Sequence, residues 1–192
     1  MFGYRKQFHF QFFSDHFLAF YLTLASSAPP FIRSQSRLDM PKREIDRFLG
    51  EKADWIETNR AQVLRDRQLG EKNAITAEQL ETLKDLAQGP ILESLRAFAP
   101  QMGVTYGRVT IRCQKSRWGS CSGSGNLNFN CLLALAPREV LDYVVVHELC
   151  HRKEMNHSAR FWALVAAVLP NYAEQKRWLR EHGGVIIGRL EE

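Results

Sequence analysis

No apolar run in this chain approaches the ~18 residues that a membrane-spanning helix requires, which argues against a membrane partner. Cysteine is scarce. The four residues Cys113, Cys121, Cys131 and Cys150 form no CxxC pair and no framework of the kind that staples small secreted domains. A reducing cytoplasm is therefore the expected setting. The glycine-rich P-loop signature is missing too, so any phosphate recognition must rely on side-chain charge. There is no internal repeat. What remains is a chain of 192 residues, 45% hydrophobic and 24% charged, suited to one compact domain plus an extra segment. Its formal net charge of +5 favours contact with acidic matter such as nucleic acid or phosphate without requiring it.

Residues 1–37 differ from the rest and are read as an atypical N-terminal extension lacking fixed order, ahead of a domain at 38–192. They are crowded with Phe and Tyr and close on Ser26, Ser27, Ala28, Pro29 and Pro30. Arg5 and Lys6, the run Phe17 to Ala25 and the small residues after it imitate a secretory signal, which makes secretion the alternative to the cytoplasm. His9, Asp15 and His16 interrupt that pattern. From Pro41, Ile45, Phe48, Leu49, Trp55, Ile56 and Val63 recur at helical spacing and predict a helical arm. Thr76, with Gln79 in the capping-box position, opens a second helical run that Gly89-Pro90 should kink or break. Thr105 to Cys113 reads as a strand, and Asn126 to Leu135 as one or two more, with a Gly/Ser-rich loop between them. Pro137 fits the first position of the helix that follows, and two further helices are expected at Ser158 to Leu169 and Asn171 to His182, before Gly183-Gly184.

The chemistry concentrates at His147-Glu148-Leu149-Cys150-His151, an HExxH pattern. At about 100° per residue, two imidazoles four apart share one helix face and can reach one zinc ion. Glu148 points to the side of that face, where a carboxylate can take a proton from a water that the metal has acidified. Tyr143 to Val146 should bury the helix at this point, and buried imidazoles and carboxylates need partners. Catalytic zinc usually takes three protein ligands. Glu154 shares the helix face if the helix continues. His157 reaches the site only if the chain turns first, and Asn156 with Ser158 supplies turn and cap signals for that. Those signals favour His157. Upstream, Arg112 to Ser122 (RCQKSRWGSCS) offers Lys115, Arg117 and Trp118 either as substrate-binding residues on an edge strand beside a cleft or as a turn packed on the core.

Taken together, Gln114 to Ser122, Leu127 to Pro137, Leu141 to His151, Asn156 to Val165 and Pro170 to Leu179 make the chain resemble the YgjP-like metallopeptidases, relatives of the SprT-type zinc proteases. The resemblance covers about Pro41 to Leu179. It implies a zincin-like α+β domain, with a small sheet beside the HExxH helix, an N-terminal helical arm and C-terminal helices. It also implies that His157 is the third ligand. The spacing from His147 to His157 equals that of metzincins, yet residue 154 is Glu and no methionine follows His157, so that assignment fails. Family members begin with basic strands, of which residues 1–37 show only a remnant near Arg33 to Arg37.

The expected function is a zinc-dependent hydrolase, a metallopeptidase acting on peptide or protein with Glu148 as general base. One alternative is a metal-dependent nucleoside triphosphate pyrophosphohydrolase, in which Arg108, Arg112, Lys115 and Arg117 would face phosphates. Another is a DNA-associated, SprT-like binding module, whose affinity would be salt-sensitive.

Overall fold

The computed structural model describes residues 11–12, 20–23, 31–34 and 42–190. It divides into two compact units, Met1–Leu64 and Arg65–Glu192.

In the first unit three short antiparallel strands, β1 (Gln11–Phe12), β2 (Phe20–Thr23) and β3 (Phe31–Ser34), pair in the order β1-β2-β3. The sequence predicts no regular element here beyond a strand remnant near Arg33 to Arg37, and β3 is the described strand nearest that position. Phe20 to Thr23, part of the signal-like run, is β2. Arg5, Lys6, His9, Asp15, His16 and residues 26–28 lie outside the described residues. The helical arm is present as α1 (Lys42–Glu51), followed by α2 (Ala53–Glu71).

The second unit is built on α3 (Ala77–Met102), a small sheet, α4 (Arg138–Cys150), α5 (Ala159–Val168) and α6 (Tyr172–Gly188). Thr76 caps α3 as expected: its hydroxyl accepts from Gln79 N while Gln79 Oε1 accepts from Thr76 N. The helix continues through Pro90 without the break that was one of the two expected outcomes there. Pro90 removes the N–H that would have bonded the Leu86 carbonyl, but Leu86 is 60% exposed, so water can take over. Leu83, Ala87, Ile91, Leu95 and Ala99 on the opposite face stay buried on both sides of the proline and hold the helix together.

The sheet has the order β4-β6-β5, with β4 (Val109–Arg112) parallel and β5 (Gly119–Cys121) antiparallel to the central β6 (Leu127–Asn130). The long strand expected from Thr105 shrinks to β4. The second half of the stretch expected as strand is a 3-10 turn, Cys131–Leu135, which Asn130 starts by accepting from Leu132 N. Pro137 is the N-cap of α4 and not its first residue. Leu127, Phe129, Val145, Val146, Leu149, Phe161 and Val165 are fully buried between sheet and helices. The architecture is thus α+β, with the sheet packed beside the HExxH helix. α6 continues past Gly183-Gly184, where the sequence suggested a stop. Those glycines are needed for closeness: a Cβ on Gly183 would come within 3.2 Å of Trp118, and one on Gly184 would overlap the Asp66 carboxylate. Among the described residues no helix is long and apolar enough to cross a membrane.

Candidate metal centre

Helix α4 is buried almost all round, with Val144, Val145, Val146, Glu148, Leu149 and Cys150 all inside. Such a helix is expensive to end in a polar cluster unless the cluster has work to do. α4 stops at Cys150, earlier than a turn at Asn156 would have it, and His151 is the C-cap residue in right-handed conformation, so the one-turn spacing from His147 persists. The chain then turns, and Ser158 begins α5 by accepting from Phe161 N. This reversal carries His157 back over the end of α4. One ligand atom from each of His147, His151 and His157 lies within 4.8 Å of the others.

Phe161 is the shared floor. Its ring centroid is 4.8 Å from that of His147, 4.7 Å from His151 and 4.6 Å from His157, and the residue is fully buried. Trp162 stands behind His147 and His157, stacks on Tyr172 at 5.5 Å, and carries the Lys176 ammonium 4.1 Å from its ring centroid.

Electrostatics keep the three imidazoles uncharged. Burial, then the neighbouring His157 and His151, then Lys176 hold His147 well below its usual range, and burial with His151 and Lys176 lowers His157 to about 4. Burial lowers His151 as well. His151 Nδ1 lies 3.1 Å from the Glu154 carbonyl, which can only accept, so the proton sits on Nδ1 and the Nε2 lone pair is left for another partner. Glu154 therefore meets the site through its backbone carbonyl. His147 Nε2 and His157 Nε2 face each other at 2.8 Å, an approach that calls for a shared proton or a cation. Neutral imidazoles with converging nitrogens suit a borderline-soft divalent cation.

Glu148 is 5% exposed, its Oε2 has no hydrogen-bond partner, and burial pushes its carboxyl up to about 8, an effect the nearby Arg117 charge partly opposes. The other side of the carboxylate lies against β5. A Cβ on Gly119 would fall 2.6 Å from Glu148 Oε1 and 2.8 Å from its Cγ, so only glycine lets the strand pass here. The RWGSCS stretch is visible in the sequence, but the reason for this glycine is not. In the sequence Phe161 is only an apolar helix residue, and a backbone carbonyl such as that of Glu154 leaves no trace in residue type.

Of the suggested substrate residues, Lys115 and Arg117 are exposed on the loop before β5, and the field of Arg117 reaches Glu148. Trp118 is half-buried among both apolar clusters and lies against Gly183 of α6. The loop is held by Asn130, fully buried, whose Nδ2 donates to Gln114 O at 2.7 Å and Arg117 O at 2.9 Å while its backbone N–H donates to Trp118 O at 2.8 Å.

A family model for the YgjP-like metallopeptidase domain matches residues 66–182, more than half of the chain. The chain belongs to the YgjP-like family. It is accordingly a hydrolase of metallopeptidase type, the family implies a metal cofactor, and His147, His151 and His157 form a group able to hold one. No curated protein matches. Among solved structures, the chain is similar to the metallopeptidase zymogen abylysin of Pyrococcus abyssi, with 24% identity, a TM-score of 0.43, and coverage of 47% of this chain and 93% of that one. It is also similar to the zymogen jannalysin of Methanocaldococcus jannaschii, with 19% identity, the same TM-score, and coverage of 47% and 94%.

Proposed function

We propose that this YgjP-like chain is a zinc peptidase in which His147, His151 and His157 hold the metal and Glu148 is the general base. The observation that carries the reading is the convergence of three uncharged imidazoles on the Phe161 floor, one residue along α4 from a buried carboxyl whose Oε2 is unpartnered. Zinc bound there supplies Lewis acidity, which brings the proton of a water within reach of a carboxylate base and polarises a peptide carbonyl.

The chain's own groups do the rest. Glu148 Oε2 is the atom free to accept that proton and later return it to the leaving amine. Gly119 fixes where the carboxylate can sit, and Arg117 favours its ionised form. β5 is an edge of its sheet, so its outer backbone groups can hold an extended peptide by strand addition. Lys115 and Arg117, exposed on the preceding loop, would meet that peptide.

The test joins metal analysis of the purified chain with a panel of unfolded protein, DNA-bound protein and nucleoside triphosphates. We expect close to one zinc per chain and cleavage of protein alone. His157→Ala should strip the metal while Glu154→Ala, which keeps the backbone carbonyl, should not. Glu148→Gln should keep the metal and lose cleavage. Triphosphate hydrolysis without proteolysis would replace this reading with the phosphoanhydride one. Salt-sensitive DNA binding without any hydrolysis would replace it with the binding module.

A further inference from the structure

The parallel register of β4 and β6 sets Ile111 opposite Phe129 and Arg112 opposite Asn130. One step further along both chains stand Cys113 and Cys131. Opposed residues on neighbouring strands are about 4.8 Å apart, inside the range of about 4.4–6.8 Å between the Cα atoms of bridged cysteines. The side chains follow the backbone, and the two Sγ atoms approach to 2.7 Å. We propose that Cys113 and Cys131 are a covalent modification site, at which a small-molecule disulfide oxidises the pair to an intramolecular bridge that closes the segment carrying Arg117 and Gly119. The proposal stands independently of the metal centre.

The two thiols are unequal. Cys131 is fully buried, and burial with its Cys113 neighbour pushes it up to about 12, so it cannot begin the reaction. Cys113 is half-buried and reachable. The Lys84 ammonium of α3, which donates to Glu81 at 2.6 Å, places positive charge near Cys131 and partly opposes the effect of burial on that thiol. The Cys113 thiolate attacks one sulfur of a reagent RS–SR, forming a mixed disulfide and expelling RS⁻. Cys131 then gives up its proton and attacks Cys113 Sγ, breaking the mixed bond and releasing the second thiol. Two protein thiols are oxidised and one external disulfide is reduced to two thiols. The bridge flanks Asn130, so it reinforces the clamp that already holds the loop at Gln114 and Arg117.

The experiment treats the full native chain with oxidised glutathione, quenches with acid, alkylates, and maps the peptides by mass. We expect a Cys113–Cys131 linked peptide, with alkylation falling from the four free thiols to Cys121 and Cys150 only. Dithiothreitol should reverse the change, and the oxidised form should melt at a higher temperature, because closing the loop restricts the unfolded chain. Treatment in denaturant should scatter the pairing over all four cysteines. In Cys131→Ala a glutathione adduct should accumulate on Cys113, and in Cys113→Ala Cys131 should stay unmodified. A native chain whose two thiols both remain free, that stops at the Cys113 adduct, or that bridges to Cys121 would overturn the proposal.

Discussion

Burial pushes the Glu148 carboxyl up to about 8 from an ordinary value of 4.5, and this has a definite effect on stability in the metal-stripped protein. Between those two pH values the folded chain keeps a proton that the unfolded chain has released, so stability falls as pH rises through the window. The histidines act in the opposite sense. His157, lowered to about 4 from 6.5, refuses a proton that the unfolded chain accepts, so stability falls as pH drops through that range. Metal-stripped protein should therefore be most stable near the overlap of the two windows, at mildly acidic pH. Glu148→Gln should flatten the alkaline side, raising stability at pH 8 by about 1–3 kcal/mol and changing it little at pH 5. Thermal melts in chelator across this range check both limbs, and an alkaline limb unchanged by the substitution would remove Glu148 as its cause. Gly119→Ala forces a Cβ into the Glu148 carboxylate, so either the carboxylate or β5 must shift. We expect zinc content to hold and kcat to fall by about a hundredfold, as for a base displaced by an ångström. A variant of normal kcat would show that the strand gives way and the base does not.

At the scale of elements, the short reversal between α4 and α5 decides whether His157 faces the other two histidines, and Ser158 anchors it by capping α5. Ser158→Ala should cost about 0.5–2 kcal/mol and weaken zinc affinity, while Ser158→Asp, an equally good cap, should restore both. Denaturant melts beside a zinc competition titration read the two effects, and unchanged affinity in the alanine variant would separate the cap from the site. This reversal shows what a sequence makes legible. HExxH spacing, the Ser158 cap and the Thr76 capping box are local patterns, each fixed by residues within a turn of one another, and the structure has all three features. Gly89-Pro90 and Gly183-Gly184 misled because a breaker's local cost was set against packing made by distant residues: the buried face of α3 in one case, Trp118 and Asp66 in the other. The contact of Gly119 with Glu148 was illegible for the same reason, since it joins a strand edge to a helix far along the chain.

Across the whole molecule, the family match ends at residue 182 but the packing does not. Gly188 passes so close to Gly70 that a Cβ on the latter would overlap its backbone, Ile75 N donates to Arg189 O at 2.8 Å, and Leu190 is buried with Ile75, Leu83, Cys131 and Leu132. A chain cut after His182 keeps every proposed ligand yet should lose about 2–5 kcal/mol, as for large core truncations. Removing residues 1–37, which contain no proposed ligand, should leave zinc content and the melting profile of residues 38–192 in place. Calorimetry of the two truncations decides, and the opposite ranking would put the N-terminal segment into the core. The placement of the histidines also bears on the order of assembly. All three lie on one continuous stretch from the end of α4 to the start of α5, whereas the cover over Glu148 comes from a strand that precedes α4 in the chain. Contacts between near neighbours form faster than those that must first close a long loop. Cation capture can therefore come early in folding, with the base sealed in afterwards, so that zinc supplied during synthesis would hasten the first step and leave the second to the slower docking of the sheet.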